Sequence, residues 1–308
     1  MSAALAWQKQ GLIFAPDSTR PWMRSHAAVP VPFQLNGSRY RVFFSSRDAG
    51  NRSHVGWFDV DLEEPSRVIA VSPEAILAPG PTGACDGDGI YAESAIRDGD
   101  AVRLYTIGVT TGHTRPLFYA SIGVATSYDD ARTFSKRAAP IMTVSEFDPC
   151  LVTAPFVLRE GARWRMWYAS GIKWQREPQG LQSYYHIKYA ESADGIEWQR
   201  DGRVAIDFAN ASERCIARLW VVPDEARYRG WFSVNDGLHG YRIGYAESAD
   251  GIEWTRRDEL AGITVSETGW DSQAQAYPAV VRHGDRWFMF YNGNAFGRDG
   301  IGLAIAPA

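Results

Sequence analysis

The sequence contains few cysteines: only Cys85, Cys150 and Cys215 occur among its 308 residues. This small, odd number argues against a disulfide framework. Metal and redox clusters are also disfavoured, because no Cys-x-x-Cys pair and no close histidine partner occur. We therefore interpret the three cysteines as small buried side chains.

Long apolar runs and runs of one charge are also absent. No stretch approaches the ~20 apolar residues that cross a bilayer, and the N-terminus lacks the basic and apolar regions of a signal peptide. The chain has 32 basic and 36 acidic residues, a net charge of −4, with no lysine and arginine cluster. These features predict a cytoplasmic protein with neither a membrane nor a nucleic-acid partner.

The chain is rich in aromatic residues (12 Trp, 14 Tyr and 14 Phe), and it contains an internal repeat. Five segments share an apolar run, a polar turn that usually contains glycine, and alternating large residues. They span residues 33–44, 95–106, 156–168, 221–232 and 280–291. Turn chemistry and a period of two predict a β-hairpin in each segment.

Further strands follow each hairpin. A third apolar strand follows every hairpin, and three of these strands lead into turns with an aspartate, namely Asp129, Asp194 and Asp250. We expect these aspartates to accept backbone hydrogen bonds and hold the corner before a fourth strand. Four strands in ~60 residues, repeated five times, predict an all-β five-bladed β-propeller with one domain, 1–308. The N-terminal segment 7–14 is expected to complete the last blade and close the ring.

Acidic residues recur where the propeller would bring the repeats together. In a propeller the innermost strands line a channel, and the residues preceding them converge on one face. Acids occur at four of these five positions, including Asp86, Glu213 and Asp271. Clustered carboxylates raise one another's pKa, which suits general acid and base chemistry at a glycosidic bond.

Several motifs carry a family resemblance that spans nearly the whole chain. They include Trp22-Met23-Arg24-Ser25-His26-Ala27, Asp86-Gly87-Asp88-Gly89-Ile90, Ser192-Ala193-Asp194-Gly195 and Trp270-Asp271-Ser272. The sequence resembles the five-bladed propeller glycosidase superfamily, which includes glycoside hydrolase families 32, 43, 68 and 130. It is especially similar to uncharacterised glycosidase-like proteins encoded beside polysaccharide biosynthesis genes. The resemblance implies a glycoside hydrolase-like enzyme with a carbohydrate substrate, and we expect no cofactor and no metal.

The chain departs from this superfamily in its carboxylates. The hydrolase families place an acid at the start of the first blade, where this chain has Arg24 and His26. Family 43 carries another acid in a Glu-Gly-Pro setting, where this chain has Thr153-Ala154-Pro155. Two alternatives therefore remain open. One is a sugar phosphorylase or glycosyltransferase-like enzyme whose arginines and His26 bind an anionic co-substrate. The other is a non-catalytic glycan-binding propeller.

The candidate site residues come from the converging segments. We assign Asp86, Glu213 and Asp271 as the catalytic carboxylates. The candidate substrate-binding residues are Arg24, His26, Asp88, Glu93, Arg218, Trp270 and Tyr277. We also consider the insertion 173–180 as a lid over the pocket.

Each candidate also has a structural alternative. Asp86 and Asp88 fit an Asx turn, and Glu213 fits an exposed acid paired with Arg214. Asp271 fits a structural tie at the channel rim.

The remaining candidates have alternatives of the same kind. His26 fits a buried core histidine. Arg218 fits an ion pair with Glu213 or Asp271, and Glu93 fits either a third catalytic acid or half of an ion pair.

Overall fold

The computed structural model describes residues 4–178, 180–224 and 227–308, and nearly all of its regular structure is β-strand. Helical structure in these ranges is limited to a 3₁₀ turn, Asp258–Leu260, and the short α1 (Asn294–Gly297). The all-β prediction is therefore confirmed. No helix in the described ranges combines the length and apolarity that crossing a membrane requires.

The strands form consecutive antiparallel groups along the chain. The first group contains β2 (Ser25–Asn36), β3 (Arg39–Arg47), β4 (Ser53–Asp61) and β5 (Val68–Val71). The second contains β6 (Gly89–Asp98), β7 (Ala101–Thr111), β8 (Phe118–Ser127) and β9 (Ser135–Lys136). The third contains β10 (Leu151–Glu160), β11 (Arg163–Glu177), β12 (Gly180–Ser192) and β13 (Val204–Ile206). The fourth contains β14 (Cys215–Asp224), β15 (Arg227–Asn235), β16 (Arg242–Ser248) and β17 (Thr255–Arg256).

The last group combines the two ends of the chain. It contains β18 (Ala276–His283), β19 (Arg286–Asn292), β20 (Ile301–Pro307) and, as its fourth strand, β1 (Gln8–Phe14). β1 pairs antiparallel with β20, with Gln8 opposite Ile305. The N-terminal segment therefore covers an edge that β20 would otherwise expose.

Glycine turns join the first two strands of most groups. Two-residue loops that begin with a glycine at positive φ occur at Gly37, Gly99, Gly161 and Gly284. Such loops match the twist of antiparallel strands, so the hairpins follow directly from the local sequence. The turn of the fourth hairpin, at Glu225 and Ala226, lies outside the described residues.

The groups contact one another through their first strands. β2 contacts β6, and contacts continue from β6 to β10, β14 and β18, which itself contacts β2. Side-chain acceptors bond backbone N–H groups of a neighbouring group in four pairs: Ser45 with Ala92, Ser94 with Val157, Ser233 with Tyr277, and Asn292 with Val29. The last pair joins the final group to the first.

The aspartate turns also fasten neighbouring groups. Asp194 accepts hydrogen bonds from the backbone N–H groups of Ile196 and Glu197, at 2.8 and 2.9 Å. The carbonyl of Gly195 in the same turn accepts a bond from Tyr105 of the preceding group, at 3.0 Å. Asp129 and Asp250 hold their turns in the same way. Their architectural role agrees with the sequence interpretation.

Large aromatic side chains fill the space between neighbouring sheets. Trp164, Trp167, Trp231, Tyr105 and Phe43 are among the largest fully buried side chains. Burying one such side chain stabilises the fold by ~2–3 kcal/mol. The apolar core therefore lies between the groups and leaves their inner ends free to build a cavity.

Candidate functional site

A cavity of about 500 Å³ lies where the first strands of the groups begin. Its walls come from the starts of first strands, the ends of second strands and the starts of third strands. The lining residues are Ala28, Val29, Arg47, Tyr91, Glu93, Ile107, Val109, Phe118, Thr153, Ala154, Ser183, Tyr185, Cys215, Ala217, Asn235, Tyr241, Tyr277 and Phe296. This is the end of the molecule on which the sequence predicts convergence. We call it the central cavity.

Bulges in the first strands shape the central cavity. Pairing with the second strand is irregular at corresponding places in every group, around Val29, Glu93, Ala154, Arg218 and Tyr277. All of these except Glu93 have a positive φ, between 49° and 59°. A positive φ is costly for residues with a Cβ, and such strain clusters at functional sites. The strained backbone therefore marks the region where the groups meet.

Glu93 and Arg218 form a buried pair among the first strands. Glu93 Oε2 lies 3.1 Å from Arg218 Nε, and both side chains are almost fully buried. The geometry of this contact is poorly oriented for a hydrogen bond, so the pair is held mainly by charge attraction. The other guanidinium nitrogens donate to the carbonyls of Pro30, Glu93 and Tyr277, at 2.7, 3.3 and 3.2 Å. Arg218 is therefore fixed beside the Glu93 carboxyl group.

Burial dominates the electrostatics of this pair. Burial raises the pKa of Glu93 to about 7, although the charge of Arg218 opposes the shift. Burial also lowers the pKa of Arg218 to about 10, against the opposing effect of Glu93. Glu93 can therefore donate or accept a proton near neutrality. Among the described residues that line the central cavity, it is the sole carboxylic acid.

Two basic side chains lie in or near the wall of the central cavity. Arg47 lines the cavity, and its guanidinium donates to Asn51 Oδ1 at 3.1 Å. His26 is buried nearby, with Nδ1 2.9 Å from Ser25 Oγ. Burial, with the charges of Arg47 and Arg298, lowers the pKa of His26 to about 4, so it is neutral at pH 7. The positive charge of Arg47 would favour an anion beside it.

Each of the three predicted catalytic carboxylates is engaged in an ion pair. In each case the acid precedes a first strand, and its base lies in the outermost strand of the same group. The pairs are Asp86 with Lys136, Glu213 with Arg256, and Asp271 with Lys9. Asp148 pairs with Arg200, just before β13, in a similar way. None of these acids is among the residues described as lining the central cavity.

Asp271 illustrates how strongly these acids are engaged. Its Oδ2 accepts bonds from Lys9 at 2.7 Å, Gln275 at 3.0 Å and Tyr291 at 3.1 Å. Burial opposes ionisation, but hydrogen bonds from Lys9, Ser266 and Gln275 outweigh it and hold the pKa of Asp271 below its ordinary value. An acid in this setting stays ionised and is a poor proton donor.

Two expected ion pairs are corrected. Glu213 bonds Arg256 in a bidentate pair at 2.7 and 2.9 Å, rather than Arg214. Arg218 pairs with Glu93, rather than with Glu213 or Asp271. Both corrections arise because the true partner is remote in sequence and is brought close by the sheets.

Some candidate substrate-binding residues also lie outside the cavity lining. Arg24 donates to the backbone carbonyl of Ser18 at 2.9 Å, and Asp88 accepts from the backbone N–H of Thr111 at 2.6 Å. Trp270 stacks on Tyr291 with ring centroids 5.1 Å apart, and fills the space beside Gly302. Glu93 and Tyr277 are the candidates that line the cavity.

Sequence reasoning missed several lining residues because it examined only the segments before each first strand. Arg47 ends a second strand, whereas Tyr185 and Tyr241 lie at the starts of third strands. The hydroxyls of Tyr185 and Tyr241 are hydrogen-bonded to each other. The sequence signal that could have found them is a polar or aromatic residue at the end of a second strand or the start of a third strand.

The cysteines differ from their expected burial. Cys85 is exposed, and Cys150 and Cys215 are half-buried. All three are free thiols, and no group of potential ligands in the described ranges could hold a metal ion. Cys215 lines the cavity, where burial raises the pKa of its thiol.

The insertion 173–180 is largely an extension of the β11–β12 hairpin. Trp174 in this extension packs on Phe118 of the cavity wall, with centroids 5.5 Å apart. Glu177 pairs with Arg214 at 2.8 Å. Gln179 lies outside the described residues.

Solved structures share this fold over almost the whole chain. BT0996, in a complex with RGII, has a TM-score of 0.75 at 16% identity, covering 99% of this chain and 93% of that protein. A β-1,2-mannobiose phosphorylase from Listeria innocua has a TM-score of 0.69 at 11% identity, with coverages of 96% and 94%. A thermostable family-43 glycoside hydrolase has a TM-score of 0.65 at 15% identity, with coverages of 91% and 88%. The propeller fold of these enzymes confirms the resemblance found in the sequence.

Sequence comparison gives a closer relationship. No family model matches the chain. The uncharacterised proteins Rv1502 and MT1551, from two strains of Mycobacterium tuberculosis, are each 38% identical over 302 residues, covering 98% of this chain and 99% of theirs. The chain therefore belongs to the family of the uncharacterised mycobacterial protein Rv1502 and shares the fold of the propeller glycosidases and phosphorylases.

Proposed function

We propose that the protein is a carbohydrate-active enzyme that breaks a glycosidic bond in the central cavity, with Glu93 as the proton donor. The observation that carries this proposal is a buried cavity carboxylic acid whose pKa is raised to about 7. Cleavage of a glycosidic bond requires an acid that is still protonated near the working pH. The propeller enzymes that share the fold support the substrate class.

The proposed architecture is a single five-bladed propeller, 1–308, closed by β1. The sequential contacts among the first strands, including that between β18 and β2, support this arrangement. Asn292 supports closure as well, because it accepts from Val29 N–H and donates to the carbonyl of Ala27, each at 2.7 Å. On this arrangement the central cavity lies on the propeller axis.

The described lining of the central cavity contains one carboxylic acid, Glu93, and this favours an anionic nucleophile over activated water. An inverting hydrolase needs a second carboxylate ~6.5–9.5 Å from the acid to deprotonate water. Asp86, Glu213 and Asp271 are engaged in ion pairs outside the cavity lining, so they are not suited to that role. Phosphate needs no such base, and Arg47 in the cavity wall could bind it. We therefore favour phosphorolysis or a related transfer over hydrolysis.

The proposed reaction balances with one acid. Glu93 gives its proton to the glycosidic oxygen as the bond from the anomeric carbon to that oxygen breaks. An oxygen of phosphate forms the new bond to the anomeric carbon, which yields a sugar 1-phosphate and a released sugar. Glu93 then regains a proton from solvent. Arg218 acts as a positioning residue, since its guanidinium is fixed by three carbonyls.

The test is a turnover assay with and without phosphate. The substrates are β-1,2-mannobiose and a panel of other disaccharides, with sugar 1-phosphate and released sugar measured by chromatography. We expect turnover that depends on phosphate and falls about 100-fold or more in Glu93→Gln. Exposed Glu146 provides the matched control, Glu146→Gln, which should retain full activity.

Each other outcome points to a different function. Turnover at the same rate without phosphate would support the hydrolase alternative. Glycan binding without turnover across the panel would support the non-catalytic propeller. Full activity in Glu93→Gln would remove Glu93 from the mechanism. The cytoplasmic location stays a prediction that fractionation of the native cell tests.

A further inference from the structure

A second, smaller cavity opens beside the central one. Its volume is about 190 Å³, and Asn235, Tyr241 and Phe296 line both cavities. The shared lining residues place the two spaces side by side, so the side cavity is near enough to take part of a ligand that extends beyond the central cavity. We call the smaller space the side cavity.

Two glycines, Gly240 and Gly293, line the side cavity at places where backbone segments pack closely. A Cβ on Gly240 would lie 2.5 Å from the carbonyl oxygen of Gln273, and one on Gly293 would lie 2.3 Å from that of Trp270. The backbone approaches closely at both positions, which larger residues would prevent.

Phe296 lies at the boundary of the two cavities, and its side chain is unusually exposed to solvent. Its side chain is 52% exposed, although it is a large apolar ring. Its edge faces Tyr241, with ring centroids 6.0 Å apart. Phe296 and the preceding Ala295 also have positive φ values of 58° and 51°. Two consecutive residues with a Cβ in this conformation are costly, and strain of this kind requires support from the surroundings.

The supporting contacts come from Asn294. Its Oδ1 accepts from the backbone N–H groups of Gln273 and Ala274, at 2.7 and 3.0 Å. Its Nδ2 donates to the carbonyl of Gly269 at 3.0 Å, and its backbone N–H donates to that of Trp270 at 2.7 Å. Four hydrogen bonds from Asn294 therefore fasten the start of this segment to the loop 269–274, which supports the conformation that exposes the Phe296 ring.

We propose that the side cavity is a second sugar subsite in which Phe296 stacks on a pyranose ring. This inference rests on the proposed function, because it places the released part of the substrate beside the bond that Glu93 protonates. Aromatic faces pack well against the apolar face of a sugar, and exposed polar groups such as Gln273 could meet its hydroxyls. The substrate is therefore a disaccharide or longer glycan, and Phe296 determines selection for its second residue.

The test measures binding rather than turnover. Isothermal titration calorimetry uses mannose, glucose and galactose and the di- and trisaccharides built from them, with wild type, Phe296→Ala and Phe296→Tyr. We expect the preferred disaccharide to bind more tightly than its monosaccharide. Phe296→Ala should weaken disaccharide binding about five- to tenfold and leave monosaccharide binding unchanged, whereas Phe296→Tyr should keep both.

The control is Tyr128→Ala, which removes an aromatic ring that is 80% exposed elsewhere. It should bind every sugar as wild type does. Unchanged disaccharide binding in Phe296→Ala, or an equal loss for mono- and disaccharide, would overturn the subsite while leaving the proposed function intact. If no sugar binds to wild type, the proposed function fails, and the subsite fails with it.

Discussion

The raised pKa of Glu93 predicts a specific dependence of stability on pH. The folded protein raises this pKa from 4.5 to about 7 through burial, so it holds the proton more tightly than the unfolded chain does. The stabilising contribution is complete below the unfolded pKa and is lost as pH rises from 4.5 through about 7. A shift of this size corresponds to about 3 kcal/mol. Glu93→Gln cannot titrate, so it should lack this loss.

Urea unfolding measures the effect. The free energy of unfolding is determined for wild type and Glu93→Gln at about pH 4.5 and about pH 7.5. Other titrating groups are common to both proteins, so the difference between the variants isolates Glu93. We expect wild type to lose about 3 kcal/mol relative to the variant across this range. Glu146→Gln should follow wild type.

Two results would refute this reasoning. A difference between wild type and Glu93→Gln that does not change with pH would mean that the pKa of Glu93 is near its ordinary value. A change of opposite sign, with wild type gaining relative stability as pH rises, would mean that attraction to Arg218 outweighs burial. In either case Glu93 would be ionised at neutral pH and could not donate the proton.

Two further predictions concern buried polar contacts, one within a group and one between the last group and the first. Asp148→Asn removes the charge opposite Arg200, 2.8 Å away. It should lower the free energy of unfolding, measured by chemical denaturation, by about 3 kcal/mol and leave kcat of the folded protein unchanged. A large fall in kcat would instead give Asp148 a role in the reaction. Asn292→Ala removes hydrogen bonds to the backbone of Val29, Ala27 and Gly300, each at 2.7 Å. It should lower the free energy of unfolding by about 2–4 kcal/mol, measured by thermal unfolding. The control Asn36→Ala, at an exposed position, should have little effect.

Much of the strand pattern could be predicted because it depends on local chemistry. A glycine turn such as Gly37 between alternating large residues specifies a hairpin wherever it occurs. The aspartate turns are equally local, because Asp194 bonds backbone groups two and three residues ahead. The pairing of β1 with β20 was expected from the repeat, since the last repeat has three strands of its own.

The ion pairs of the candidate site could not be predicted, because partners that are distant in sequence are not visible in it. Asp86, Glu213 and Asp271 do precede first strands as expected. Their side chains, however, meet bases in outermost strands, such as Lys9, which is remote from Asp271 along the chain. A converging backbone position therefore does not determine where a carboxylate points.

Glu93 was harder to assign because its importance depends on the bulge in β6. The bulge changes the face to which the side chain points, and burial then changes its pKa. Phe296 gave no signal at all, because its exposure depends on the backbone conformation that Asn294 supports. Glu93 was already a candidate in the sequence, whereas Phe296 could be recognised only from the three-dimensional structure.

The most direct test of the central claim is a crystal structure of Glu93→Gln with an intact oligosaccharide substrate. The account predicts a sugar chain in the central cavity, with its glycosidic oxygen within ~3.2 Å of the amide group that replaces the Glu93 carboxyl group. A sugar chain bound elsewhere, with its glycosidic oxygen beside Asp86, Glu213 or Asp271, would contradict it.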